Sequence, residues 1–424
     1  FASSKRLVES QILMDERSTI PTMISVETAL SMLTANVVTM PPEEIGIDQC
    51  AGRILADAVF TDHTQPPFAA AAMDGYAVRF ADMAEGTSLT VIGEAPAGTP
   101  FSGTLDTGQA VRIFTGAPVP AGADHVLIQE HAVRSGDIVT VTQGQAAPRH
   151  IRPAGLDFSA GDCLAQKGTA LTAFHGAIFA AGNVARVRVY RQPRVMFFTN
   201  GDELVPPGKK ALAPGEIVDA NPLGLGPLIT QWGGLPTHLG CVPDDLKALT
   251  RVFERAYADG ADIVVPVGGA SVGDHDHMKR AFALAHGALV FSKIAVKPGK
   301  PTWFGHTNGA AGKVPVIGLP GNPASAMVTA HLFLRPLIAA MGGQPSMSTA
   351  LSGLLTADIS ANGQRETFLR ASAVLEPAGW QITPAPNQDS ALILPFATCN
   401  ALVRRMAGAK ALSAGASVQF THLH

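Results

Sequence analysis

Between Arg194 and Met341 short, continuous apolar runs alternate with segments of helical length, and few folds accommodate that alternation. The runs "RVMFF", "PTHLGCV", "ADIVVPV" and "VPVIGL" read as strands, separated or followed by helices at "PLGLGPLITQW", "DLKALTRVFERAYADG", a segment starting at Asp274, and "ASAMVTAHLFLRPLIAAM". Strands that are apolar on both sides need cover on both sides, so the pattern predicts a parallel sheet between two layers of helix. Ligands of such sheets bind beyond the carboxyl ends of the strands. The three unusual loops here, "TNGDEL", "GGASVGDHD" and "GLPGNPAS", each follow a strand.

The rest of the chain has a different texture. "SVETALSML" predicts a helix with Ser25 as N-cap and Glu27 in the first turn, where a carboxylate suits the helix dipole. From about Gln49 to Ile151, short runs such as "SLTVIGEA" and "DIVTVTQ" lie between Gly and Pro clusters and predict a β-rich module. "GLDFSAGDCLAQKGTALTAFHGAIFAAG" returns to turns and one helix, which rejoins the N-terminal helix as a discontinuous domain. After Gly343 the strands "FLRASAVL", "WQITPA" and "SVQFTHL" suit a small β-barrel.

At 424 residues and 46% hydrophobic content the chain has material for about three or four domains. A net charge of -3, with charged residues at 15%, gives no overall signature of nucleic-acid or anionic-membrane binding, so any basic site is local. Apolar runs stop short of the roughly 18 residues that span a bilayer. The four cysteines are far apart in sequence, which argues against a zinc site or disulfide framework and points to a reducing cytoplasm. The chain begins with Phe1 rather than Met, which leaves a fragment or a removed leader open.

Each loop admits more than one chemistry. In "IGLPGNPASAM", Asn322 can cap a helix whose first residue, Pro323, lacks an N–H that would be unpaired anyway, and the free N–H groups behind it suit an anion; the alternative is an ordinary capped helix start. In "KIAVKPGKPTWFG" a type II turn at Pro298-Gly299 would bring Lys297 and Lys300 together, with Lys293 nearby; the alternative is a solvated hairpin tip. Asp202 and Glu203 of "TNGDEL" suit Mg²⁺, a sugar hydroxyl or plain solvent. In "VGGASVGDHDHMKR", His275 and His277 would point roughly 200° apart on a helix and could not grip one ion. What remains is a Gly268-Gly269 turn leading to an anion-binding helix start, with Asp276 available to a magnesium ion shared with the anion.

Taken in order, "PPFAAAAMDGYAVR", "RIFTGAPVPAGADHVLIQE", "IRPAGLDFSAGD", "TNGDELVPPG", "IVDANP", "VGGASVGDHD", "IAVKPGKP" and "GLPGNPASAM" resemble the molybdopterin molybdenumtransferase family, the MoeA-type enzymes that include the C-terminal domain of gephyrin. The resemblance runs from about residue 23 to the end. It implies a multidomain α/β plus β chain: an N-terminal extension (1–22), a discontinuous helical linker domain (23–58 and 158–192), a β-rich dimer and active-site module (59–157), a Rossmann-like parallel-sheet molybdopterin-binding domain (193–342) and a C-terminal small β-barrel (343–424). It also implies a cytoplasmic homodimer that inserts molybdate into adenylylated molybdopterin, with Mg²⁺, release of AMP and formation of molybdenum cofactor. Neither nucleic acid nor membrane is among the implied partners; the adenylyltransferase of the same pathway and molybdoenzyme acceptors are.

Residue by residue, the resemblance assigns catalytic acids to Glu203, Asp244 and Asp276, with Glu203 and Asp276 holding Mg²⁺, and a further catalytic position to Thr115 of "FTGAP" on the β-rich module. Lys293, Lys297 and Lys300 match the family's basic side. Substrate and phosphate contacts fall on Gly268, Gly269, Ser271 and Gly273, on Gly321, Asn322, Pro323 and Ser325, and on Arg365 and Ser390, around which the sequence diverges. Many members carry an acid and a serine where this chain has Ala69 and Ala71, which puts its handling of metal in question, while Asp74 shapes the Asp-Gly turn. Two other readings stand beside insertion: the preceding adenylylation of molybdopterin, and a catalytically weak scaffold of the same fold. A nicotinamide-binding enzyme is disfavoured, because no GxGxxG follows the first α/β strand. The preference between molybdate and tungstate is left open.

Overall fold

The computed structural model describes residues 23–35, 37–269, 277–307, 313–344 and 350–423. The chain divides into two compact units, one running from Glu44 to Val189 and one built from the chain on either side of it.

The flanking unit holds the alternating region. Its sheet contains β1 (Arg194–Asn200), β2 (Leu235–Val242), β3 (Ile263–Gly268), β4 (Gly287–Phe291), β5 (Trp303–Thr307) and β6 (Pro315–Gly318), in the spatial order β2-β1-β3-β6-β5-β4. The four strands foreseen from their apolar runs are mutually parallel. Strands β5 and β4 extend the sheet antiparallel from β6, an extension that the sequence reading did not contain. Alternate residues of β1 reach opposite faces: Val195 and Phe197 join the cluster under the helices Val26–Thr34, Asn221–Gln231 and Pro323–Thr329, whereas Met196 and Phe198 join the one under Leu246–Ala258 and His277–Leu284. That two-sided burial is why the middles of β1 and β3 are apolar, whereas β2, at the sheet edge, is largely exposed and carries Thr237 and His238. The helix expected from Asp274 is seen from His277 onward; Asp274 to Asp276 lie outside the described residues.

The last helical stretch, Pro323–Met341, is apolar and long enough to cross a membrane by composition, but 72% of it is buried inside the protein. It carries a π turn at Ala330–Leu334 just before Pro336, whose missing N–H prevents a regular ladder there. After it, Glu366–Glu376, Gly379–Pro384, Leu351–Leu355, Ser417–His422 and Ala401–Arg405 close into a five-stranded barrel, each pairing with the next and the last with the first. Phe368, Leu402 and Leu423 of this barrel enter the same apolar cluster as β1 and β3. The short strand Val296–Lys297 pairs with Glu366 and Thr367, stitching the α/β layer to the barrel.

In the other unit, strands His125–Ile128, Gly75–Val78, Gln109–Ile113, Ser88–Ala95, Ile138–Val141 and Ala132–Ser135 lie in that order in one sheet. Alternation again separates the faces: Ala77, Val111 and Val126 belong to one apolar cluster, and Tyr76, Ala110 and Leu127 to the other. The helix Ala173–Ala181 buries Phe179 with Cys50, Leu55, Val59, Val187 and Val189.

His125 is fully buried at the edge of this sheet. Its Nδ1 accepts the Arg149 N–H at 2.9 Å, leaving Nε2 buried without a partner. Burial first, and then the neighbouring His150, push its pKa from 6.5 down to about 4. The folded chain therefore binds fewer protons than the unfolded chain between these values. His125 contributes its full stability above pH 6.5, and that contribution falls as the pH drops toward about 4. Urea unfolding of a His125→Gln variant should show a flatter loss of stability across this window than the parent, by on the order of 2 kcal/mol between its ends; parallel profiles would contradict this.

Candidate active site

In the order β2-β1-β3, the chain leaves β1 in one direction for β2 and returns on the other side for β3, so the loops after β1 and β3 diverge and open a crevice at the carboxyl edge. Close packing brings three loops together there. Gly268, at φ +91°, sits so near the Asn200 carbonyl that a Cβ would lie 2.6 Å from its oxygen. Gly269, at φ +65°, leaves no room for a Cβ beside the Asn200 side chain. Gly321 lies against Gly268, where an added Cβ would meet its Cα at 3.4 Å. The Asn200 amide donates to the Val242 carbonyl at 3.1 Å, tying the end of β1 to that of β2.

Beside these loops is a cavity of about 540 Å³ lined by Lys297, Lys300, Asn322, Ser325, Arg365 and Ser390, six of the residues foreseen for oxyanion and phosphate contacts. Gly299 takes φ +106°, which suits the expected turn, although Lys297 belongs to a strand and not to a free hairpin tip. Lys293 does not line the cavity; its carbonyl accepts the Ile24 N–H at 3.3 Å.

Asn322 occupies the N-cap position without capping. Its amide instead donates to the Ser390 hydroxyl at 3.0 Å, and the Ala324 N–H behind it donates to the Ser390 carbonyl at 3.1 Å. One helix N–H expected to face an anion is thus used to seat the barrel loop, and the charge available to an anion comes from side chains.

Arg370, which the sequence reading passed over as part of a strand, holds that loop. Its side chain is 1% exposed. It donates to the carbonyls of Leu392 (2.6 Å), Asp389 (2.9 Å) and Asn387 (3.4 Å) and to the Gln388 side chain (3.3 Å), while Gln388 donates back to the Arg370 carbonyl at 2.9 Å. Burial pulls its pKa below that of an ordinary guanidinium. A lone arginine inside the apolar strand "FLRASAVL" was the available signal.

Acids gather at the ends of β1 and β2. Asp202 accepts the Asp244 N–H at 3.0 Å, and His277 Nδ1 stands 3.2 Å from the Asp244 carbonyl and 3.6 Å from its carboxylate. The Glu203 carboxylate folds back against Gly201. Among the described residues no three His, Cys, Asp or Glu side chains converge as a metal cage. Ser271, Gly273 and Asp276 lie outside the described residues.

Within the other unit, the Asp74 carboxylate accepts both the backbone N–H (2.7 Å) and the hydroxyl (2.8 Å) of Thr115. The N–H, then the hydroxyl, hold the Asp74 carboxyl below its usual pKa range. Asp74 therefore does more than shape its Asp-Gly turn: it fixes Thr115 by accepting hydrogen bonds from its N–H and hydroxyl. Ala71 is fully buried in its short strand against Ile151.

Three family models match the chain: "MoeA N-terminal region (domain I and II)" over residues 24–182, "Probable molybdopterin binding domain" over 197–340, and "MoeA C-terminal region (domain IV)" over 352–423. A molybdopterin molybdenumtransferase of a Nostoc species is 35% identical, the match covering 87% of this chain and 85% of the relative. One from Haemophilus influenzae is 34% identical over 90% and 94%. The crystal structure of the molybdopterin biosynthesis moeA protein of Pyrococcus horikoshii is 27% identical with a TM-score of 0.78, covering 95% of this chain and 100% of that one.

Replacing Arg370 by Met would leave the Asn387, Asp389 and Leu392 carbonyls without the guanidinium donor, while the residue-370 backbone N–H would still reach Gln388. Urea unfolding should then show a loss of about 3 kcal/mol, and retained stability would contradict the clamp.

Proposed function

The chain belongs to the MoeA family of molybdopterin molybdenumtransferases, and we propose that it acts as one in molybdenum cofactor biosynthesis, joining molybdate to adenylylated molybdopterin with release of AMP. The cavity carrying Lys297, Lys300 and Arg365 beside the hydroxyls of Ser325 and Ser390 is the observation on which this reading rests. An oxyanion needs fixed positive charge and short donors, and these side chains line one cavity that offers both. The adjoining crevice, where glycines let backbone approach closely, suits the phosphate-bearing remainder of the substrate.

On this reading Lys297, Lys300 and Arg365 bind and orient molybdate, and Ser325 and Ser390 donate to its oxygens. Glu203, Asp202 and Asp244 offer oxygen ligands at the strand ends, a donor set that suits Mg²⁺. Magnesium commonly takes one or two carboxylates together with substrate phosphates, so the absence of a cage among the described residues is compatible with it. Such an ion would neutralise phosphate charge and favour departure of AMP. Asp276 completes that group in our reading. Thr115, whose hydroxyl donates to Asp74, keeps its oxygen lone pairs available as hydrogen-bond acceptors. Neither Ala69 nor Ala71 supplies an acid or hydroxyl, so Asp74 is the carboxylate left in that motif. The division into linker, β-rich, α/β and barrel parts, the homodimer, and contacts with the adenylyltransferase and with molybdoenzyme acceptors belong to the same proposal.

The test is AMP release from adenylylated molybdopterin, with and without molybdate, coupled to activation of a cofactor-free molybdenum enzyme. Molybdate-dependent release with activation is expected; tight binding without turnover would make the chain a scaffold. Lys300→Ala should raise the KM for molybdate about tenfold or more while leaving affinity for the adenylylated substrate nearly unchanged. Glu203→Ala should lower kcat by about a hundredfold. Parent-like kinetics in both variants would sink these assignments.

A further inference from the structure

Among the described residues, two buried side-chain oxygens near the carboxyl ends of the strands have no donor: Oδ1 of Asp219 and Oδ1 of Asn221. Their residues are only 8% and 6% exposed. Each side chain is anchored at its other end. The Asp219 Oδ2 accepts the hydroxyl proton of Thr199, the penultimate residue of β1, and the Asn221 amide donates to the Gly321 carbonyl at 2.9 Å. The Asp219 N–H is in turn fixed to the Val205 carbonyl at 2.9 Å. Asp219 is therefore held at the end of β1, and Asn221 at Gly321 of the β6 loop, whose neighbours Pro320 and Asn322 line the oxyanion cavity.

An unpaired buried carboxylate oxygen is costly, and the charge of Asp219 is met by no ion pair among the described residues. A ligand carrying N–H donors would satisfy such acceptors. Resting on the proposed function, we infer that Asp219 and Asn221 recognise the donor edge of the pterin, its 2-amino group and ring N–H. The substrate's own connectivity selects this end. Molybdate must meet the dithiolene, whose ring is fused to the pterin, so the pterin lies beside the oxyanion cavity and the ribose lies beyond the phosphates. Asp219 acts by binding and orientation, and no bond to it is made or broken. Charge-assisted N–H···O bonds are the strong, short class, and a site built for them rejects ligands that lack the donors.

The test measures binding of molybdopterin and of AMP, separately, to the full chain and to Asp219→Asn. Affinity for molybdopterin should fall about thirtyfold or more in the variant, with AMP affinity within about twofold of the parent. A ligand-side measurement needs no variant: on the parent protein, pterin-6-carboxylate should compete with molybdopterin, and its N2,N2-dimethyl form, which lacks the amino donors, should compete at least about tenfold less well. Loss of AMP binding with molybdopterin affinity retained would move these acceptors to the nucleoside and overturn the inference. Equal affinities throughout, including for the dimethyl ligand, would mean that the oxygens hold only water, and would overturn it too. A parent protein that binds neither molybdopterin nor AMP would overturn the proposed function itself, a result distinct from either of these.

Discussion

The contact between Gly268 and the Asn200 carbonyl is the constraint from which the site follows. Strands β1 and β3 are neighbours in the sheet, and their loops must separate at the switch in strand order. A side chain at residue 268 would push those loops apart, because it would collide with backbone and not with a mobile side-chain end. With glycine there, Gly321 can close from β6, and the ends of three strands meet at one edge. The chemistry is then supplied by whatever those loops carry outward.

Charge placement follows from the second junction, between the α/β layer and the barrel. The chain as a whole is slightly acidic, at a formal charge of -3, yet Lys297, Lys300 and Arg365 line one cavity. The strand pairing of Val296–Lys297 with Glu366 and Thr367 places them there. Arg370 stands behind, buried and in no ion pair among the described residues, solvated by carbonyls of the loop that presents Ser390. A buried cation held by neutral groups keeps its charge uncompensated, so the clamp that shapes the wall also contributes to its positive field. Asp219 and Asn221, tied to Thr199 and to the Gly321 carbonyl, make the opposite arrangement, with acceptors left unpaired.

Much of this was legible in the sequence, for physical reasons that also mark where legibility stopped. Strands β1, β3 and β6 declared themselves through apolar runs that burial on both faces requires, and the edge strand β2 through its place in the alternation, whereas "GALVF" and "WFGHT" lie in an antiparallel extension outside that rhythm. Lysines 297 and 300 were found through the glycine turn between them. Asn322 was correctly placed at a helix start and wrongly given the capping bond, since its partner, Ser390, is 68 residues away and no local pattern announces it. Arg370 and Asp219 share that difficulty: each matters through groups distant in sequence. Asp74 was read as a turn residue because its neighbour is Gly75, while its main partner, Thr115, lies on another strand connection.

The account stands or falls on where the oxyanion binds. Crystals of the protein soaked with molybdate, or with tungstate for its stronger anomalous signal, would locate the metal directly. The account predicts an anomalous peak inside the cavity, within hydrogen-bonding reach of Lys297, Lys300 or Arg365 and the Ser390 hydroxyl, and its loss in a Lys297→Ala, Lys300→Ala double variant. A peak elsewhere on the chain that survives both substitutions would contradict it.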